Sequence, residues 1–192
     1  MVKNHSKIIK VMLEKQEEDL NIAKISKHSK IDYKNTYNII KDLEKKGLII
    51  VKPLGKTKRI ILNKKNNPLI FETEYNRRKD LFKKNKDFLV IYKRLSELNF
   101  PFIVLLFGSH AKKKATKHSD IDLLIICEEK RENQIQEVLD LFSLKIHPTF
   151  INFENFILML KTKEFSVVSE AIKNNIILIG IEDYYRMIKN AE

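Results

Sequence analysis

Gly108-Ser109-His110-Ala111, a basic spacer, and then Ser119-Asp120-Ile121-Asp122 make up the stretch that decides how this chain is read. Ahead of it, Ile103-Val104-Leu105-Leu106-Phe107 is apolar and rich in β-forming residues, and Gly108 and Ser109 end that run as a tight turn ends a strand. Gly108 allows the backbone to come close to a ligand. Ser109 offers a hydroxyl and a backbone N–H to a phosphate oxygen, at the start of a helix where unpaired donors favour an anion. Asp120 and Asp122 stand two residues apart at the head of the apolar segment Leu123-Leu124-Ile125-Ile126, so both carboxylates project from one side of a strand. Two neighbouring like charges need a cation between them. Mg²⁺ (or Mn²⁺) suits, because such an ion shares its coordination between carboxylates and substrate phosphates, and the expected ligand is a nucleoside triphosphate (NTP).

These residues resemble the nucleotidyltransferase superfamily that includes DNA polymerase beta, in its minimal branch, whose pattern is G-S, a short spacer, then S-D-[IL]-D. The resemblance implies that Gly108 and Ser109 hold the triphosphate, that Asp120 and Asp122 bind the divalent metal and are catalytic, and that Ser119 sets the turn before them as part of the nucleotide site. It also exposes two departures. The family often has Gly five residues after the first Gly, where this chain has Lys113 within Lys112-Lys113-Lys114. Active members carry a third acid on a later strand, yet the matching segment Leu144-Lys145-Ile146-His147-Pro148-Thr149-Phe150-Ile151-Asn152 has no Asp or Glu. His147 or Thr149 falls where the acid is expected, and Glu154 replaces it only if the chain turns back toward the site. Imidazole is a poor substitute for a carboxylate on Mg²⁺.

The composition, 192 residues with 43% hydrophobic and 32% charged, fits one to two small domains, each with its own core. There is no long apolar run for a membrane span and no signal-peptide pattern at Met1-Val2-Lys3-Asn4-His5, so a cytoplasmic location is expected. The single cysteine, Cys127, excludes an intramolecular disulfide or a Cys-based zinc site, and reads as a small core residue. His5, His28, His110 and His118 lack ligand spacing and are expected to be exposed. The net charge of +12 is uneven: residues 1–65 carry 17 Lys and Arg against 7 Asp and Glu, whereas residues 101–192 carry 12 against 13. A polyanion-binding front half, with double-stranded DNA as the natural partner, follows from that asymmetry.

The front half also has the layout of a winged helix-turn-helix. Ser6 is placed as the cap of a first helix with Ile8, Ile9, Met12 and Leu13 on its apolar face, and Asn21-Ile22-Ala23-Lys24-Ile25-Ser26 reads as a short second helix. Asp32 caps a third, from which Tyr37, Ile40 and Leu43 pack inward while Lys34, Asn35, Asn38 and Lys41 point away. Gly47 stops it. Leu48-Ile49-Ile50-Val51 then leads through a basic tip to Ile60-Ile61-Leu62 as a hairpin wing. The segment resembles winged-helix DNA-binding domains of archaeal and bacterial regulators, especially in Leu43-Glu44-Lys45-Lys46-Gly47-Leu48-Ile49. By that resemblance the third helix enters the major groove, Asn35 and Asn38 reach base edges, and Lys34, Lys41, Lys56, Lys58 and Arg59 contact phosphates.

The expected fold is α+β in two domains: a winged helix-turn-helix over residues 1–66, a connecting helical region over 67–98, and a nucleotidyltransferase-like domain over 99–192 with a mixed sheet flanked by helices. In the last, a helix is expected over 132–142, a strand ending near Asn152, helices at 154–160 and 166–173, and a closing strand and helix that resemble those of archaeal nucleotidyltransferase-domain proteins. Two functions follow. One is Mg²⁺-dependent transfer of a nucleoside monophosphate to an acceptor hydroxyl on a protein, a nucleic-acid end or a small molecule. The other is a transcription regulator or antitoxin-like protein with a degenerate catalytic domain. A homodimer is compatible with either, since such regulators often read paired half-sites.

Overall fold

A computed structural model describes residues 2–64, 66–116, 118–162 and 167–191, and the chain divides into two compact units, Met1–Thr73 and Glu74–Glu192. In the first unit, three helices, α1 (Val2–Glu14), α2 (Ile22–Ser29) and α3 (Tyr33–Lys45), precede an antiparallel hairpin of β1 (Ile49–Leu54) and β2 (Thr57–Leu62). Local chemistry sets these boundaries. Asn21 accepts the Lys24 N–H as the cap of α2, and Asp32 accepts the Asn35 N–H as the cap of α3, both at 2.9 Å. At the other end of α3, Gly47 takes the left-handed backbone (φ +67°) and the Leu48 N–H returns to the Leu43 carbonyl. The core gathers Ile8, Ile9, Leu13, Ile25, Ile40, Leu43, Ile49 and Ile60.

Three expectations for this unit are corrected. Ser6 lies inside α1, which begins at Val2, and its hydroxyl meets that of Thr73 at 3.1 Å. The inward position on α3 belongs to Thr36, fully buried with its hydroxyl on the Ile31 carbonyl, whereas Tyr37 is 44% exposed. One step of helix rotates the face by about 100°, and the smaller side chain fits against α1 and α2. His5, expected at the surface, is 8% exposed and pairs with Asp42 at 2.7 Å.

In the second unit, α5 (Lys86–Leu95) follows α4 (Pro68–Lys84), whose last residues belong here. The chain continues as β3 (Ile103–Leu106), a single turn α6 (Gly108–Ala111), β4 (Ile121–Ile126), α7 (Glu132–Asp140), β5 (Ile146–Ile151), α8 (Phe153–Thr162), α9 (Val167–Lys173), β6 (Ile176–Ile179) and α10 (Ile181–Ala191). The expected helix start at Ser166 lies outside the described residues. The strands form one mixed sheet in the order β5-β4-β3-β6, with β4 and β5 parallel and β3 antiparallel to both β4 and β6.

Alternation along the strands directs side chains to two faces. Val104, Leu106, Ile121, Leu123 and Ile125 pack with Phe88, Ile91 and Leu95 of α5 and Ile135 and Leu139 of α7. The helical region expected to stand apart as a connector thus supplies core to this unit through α5. The middle of α4, from Glu74 on, is tied in by a buried polar network. Glu74 pairs with Arg77 at 2.6 Å, Arg77 donates to the Asn175 carbonyl, and the Tyr185 hydroxyl donates to Glu74. Among the described residues, no helix is long and apolar enough to cross a membrane.

Candidate active site

The antiparallel pairing of β3 with β4 runs the end of one strand to the start of the other. Leu106 stands opposite Leu123, and the Phe107 N–H donates to the Asp122 carbonyl at 3.1 Å. The next residue, Gly108, therefore turns the chain directly over Asp122. Its φ is +64°, and a Cβ there would collide with the Asp122 carboxylate. Both the backbone angle and the absent side chain belong to glycine. Ser109 follows in α6, a helix of four residues, too short for a substantial macrodipole, so its capacity to bind an anion lies in the free N–H groups of its first turn and in the Ser109 hydroxyl.

The loop from α6 to β4 ties itself down. Lys114 N–H donates to the Ser109 carbonyl, and the Ser119 hydroxyl accepts the Thr116 N–H at 2.8 Å. Ser119 thus holds the turn that delivers Asp120. Lys113, where the family often has Gly, sits at φ +57°. That left-handed angle is one glycine adopts without strain and lysine does not. His110 packs edge-on against Phe88, with ring centres 5.3 Å apart, and its Nε2 lies 3.3 Å from the Ser119 carbonyl.

Asp120 and Asp122 lie on one face at the head of β4, as the spacing predicts. Burial pushes the Asp122 carboxyl above the usual range; His147 counteracts this, the charges of Asp120 and Glu170 add to it, and His110 again opposes it. Among the described residues Asp120 Oδ1 is buried without a hydrogen-bond partner, so a cation there would satisfy an oxygen that the protein leaves open. The orphaned oxygen and the glycine cradle over Asp122 both fit a divalent ion shared with phosphates. Among the described residues, no three His, Cys, Asp or Glu side chains already stand in ligating geometry.

Register separates the two candidates on β5. In the parallel pair β4–β5, Asp122 is beside His147 and Leu124 is beside Thr149. His147 therefore flanks the carboxylates, its Nδ1 3.9 Å from Asp120 Oδ2, while Thr149 lies one pair deeper. Glu154 is in the first turn of α8, past the far end of β5, so the chain does not bring it back. Four residues of strand, about 13 Å, separate His147 from Ile151 alone. Sequence reasoning did not find Glu170 of α9, which pairs with Lys112 at 2.8 Å and contributes to the field at Asp122. Fifty-eight residues separate that pair, and no spacing rule links them.

Of the basic residues expected to meet phosphates, Lys34, Lys56 and Lys58 are exposed, Lys41 pairs with Glu44 at 2.9 Å, and Arg59 pairs with Asp19 at 3.0 Å. The Asn35 amide donates to Asp32 at 2.6 Å. Asn35 and Asn38 line a groove of about 620 Å³ with His5, Asp42 and Lys46, to one side of the Lys34 and Lys41 edge of α3.

Residues 90–183 match the family model described as polymerase beta, nucleotidyltransferase. A nucleotidyltransferase domain of that type therefore occupies this segment, just under half of the chain, and it contains the turn, both aspartates, His147 and Glu170. No curated protein and no solved structure gives a significant match to the chain.

Proposed function

We propose that the chain is a DNA-binding nucleotidyltransferase that transfers a nucleoside monophosphate from an NTP to an acceptor hydroxyl and releases pyrophosphate. The observation that carries this reading is the closure of Gly108 over Asp122, which sets a phosphate-sized turn against a carboxylate pair with one oxygen unpartnered among the described residues. Asp120 and Asp122 hold Mg²⁺ or Mn²⁺. The ion, when bound, neutralises charge on the phosphates and favours the departure of pyrophosphate. Ser109 orients the phosphates through its hydroxyl and first-turn N–H groups, and Ser119 acts by fixing the loop that presents Asp120. Lys112, braced by Glu170, adds positive charge beside the turn. Positioning and electrostatics of this kind supply most of the rate in phosphoryl-type transfers.

The DNA-binding part rests on the first unit: three helices followed by a basic hairpin, in the order of a winged helix-turn-helix, with most of the chain's net positive charge. Helix α3 is the element for the major groove and the β1–β2 hairpin is the wing. A second reading, a transcription regulator or antitoxin-like protein with a retired catalytic domain, is favoured by one observation, the absence of any Asp or Glu from β5. Labelled NTPs with Mg²⁺ or Mn²⁺, offered DNA, tRNA and host protein extract as acceptors, separate the two. Transfer by the wild type that is lost in an Asp120→Ala, Asp122→Ala double variant supports the enzyme; nucleotide binding without transfer supports the regulator.

A further inference from the structure

We propose that His147 is the third metal ligand of this site and that it turns the site's preference from Mg²⁺ toward first-row transition ions, Mn²⁺ among them. The inference rests on the reading of Asp120 and Asp122 as metal ligands. Three observations lead to it. The β4–β5 register sets His147 beside Asp122 on the face that carries both carboxylates. Its Nδ1 is 3.9 Å from Asp120 Oδ2, whereas two ligands each about 2.1 Å from one ion are separated by about 3 Å at a right angle and about 4 Å across it. The ring is also unconfined: the side chain is 63% exposed, so rotation about its side-chain bonds brings either nitrogen toward the pair without moving the sheet.

The chemistry follows from the donor. Mg²⁺ prefers an all-oxygen octahedral set and surrenders water reluctantly, while an imidazole nitrogen gains progressively more with first-row transition ions. A carboxylate at position 147 would make this a Mg²⁺ site. An imidazole there changes the ion rather than abolishing the site, and the shortage of acid on β5 ceases to imply inactivity.

The test is Mn²⁺ binding to the full chain without nucleotide, followed by loss of the free-ion electron paramagnetic resonance signal, for the wild type, His147→Ala, His147→Asp and Asp120→Asn. Bound Mn²⁺ on the wild type is expected to give ¹⁴N modulation in its electron spin echo, absent in His147→Ala. Affinity should fall at least about tenfold in His147→Ala, since losing even an outer partner of a metal ligand costs that much. Mg²⁺ should displace Mn²⁺ more readily from His147→Asp than from the wild type. Unchanged Mn²⁺ affinity in His147→Ala, with loss in Asp120→Asn, overturns the role of His147 and leaves the carboxylate pair standing. Equal binding by Asp120→Asn and the wild type, or no binding by any form, removes the carboxylate reading and this proposal with it.

Discussion

Gly108 and Asp122 occupy each other's space: the glycine turns at φ +64° where any Cβ would meet the aspartate's carboxylate. Gly108→Ala therefore incurs two penalties, left-handed backbone strain and displacement of a carboxylate proposed to bind the metal. We expect a loss of stability of about 1–3 kcal/mol, measured by urea denaturation, and a larger proportional loss of nucleotidyl transfer. Full activity in Gly108→Ala would show that Asp122 can move without consequence, and with that the site's geometry loses its meaning.

Lys113 sits at a left-handed backbone angle (φ +57°), and Lys30 does so at the end of α2 (φ +55°). Each position carries strain that glycine relieves, partly offset by the greater freedom glycine gives the unfolded chain. Lys113→Gly and Lys30→Gly are each expected to raise stability by up to about 1 kcal/mol, read as an upward shift of the thermal midpoint. The first variant also tests whether lysine at this turn limits turnover; if it does, transfer rises in Lys113→Gly and not in Lys30→Gly.

Glu74 and Arg77 are almost completely buried, and their pairing is shared with Tyr185 and the Asn175 carbonyl. Glu74→Ala deletes a buried carboxylate that accepts from both the Arg77 guanidinium and the Tyr185 hydroxyl, and is expected to cost about 3 kcal/mol in chemical denaturation. Tyr185→Phe, which removes a single hydroxyl donor, should cost about 1 kcal/mol. Equal effects would mean that the pair is not the stabilising feature of this end of the sheet.

Burial, reinforced by the charges of Glu132 and Glu128, pushes the Cys127 thiol up to about 11. The unfolded chain releases this proton more readily than the native one, so the contribution to stability is complete at neutral pH and declines as pH rises from about 9 through about 11. At pH 8 only about one native thiol in a thousand is ionised. Native protein should therefore resist a thiol-specific alkylating reagent at pH 8 and react stoichiometrically in guanidinium; rapid native labelling would contradict the burial.

How much of this was legible in the sequence depended on the range of the signal. The turn at Gly108, the carboxylate pair and the Asp32 cap are written within a few residues and could be read directly. Tyr37 was misplaced because an amphipathic pattern tolerates a one-residue rotation, and only packing against α1 and α2 selects Thr36. The apolar face of α5 was visible, but periodicity reports that a face is buried and not which core receives it. The His5–Asp42 and Lys112–Glu170 pairs join residues 37 and 58 positions apart, and chain folding alone makes them neighbours.

The same distinction between residues and their partners shapes the expected DNA contacts. Lys34, Lys56 and Lys58 present exposed ammonium groups without an ion-pair partner among the described residues, whereas Lys41 and Arg59 are engaged by Glu44 and Asp19. A cation already paired has less counterion to release when it meets a phosphate. Each of Lys34→Ala, Lys56→Ala and Lys58→Ala should lower affinity for duplex DNA uniformly across sequences and reduce the slope of log K against log salt by about one. Lys41→Ala and Arg59→Ala should change the slope less. Asn38→Ala should leave the slope intact and relax discrimination between sequences, since amides read base edges and not charge. Fluorescence anisotropy at several salt concentrations measures all of these. Unaltered slopes in the three lysine variants would overturn duplex DNA binding by the first unit.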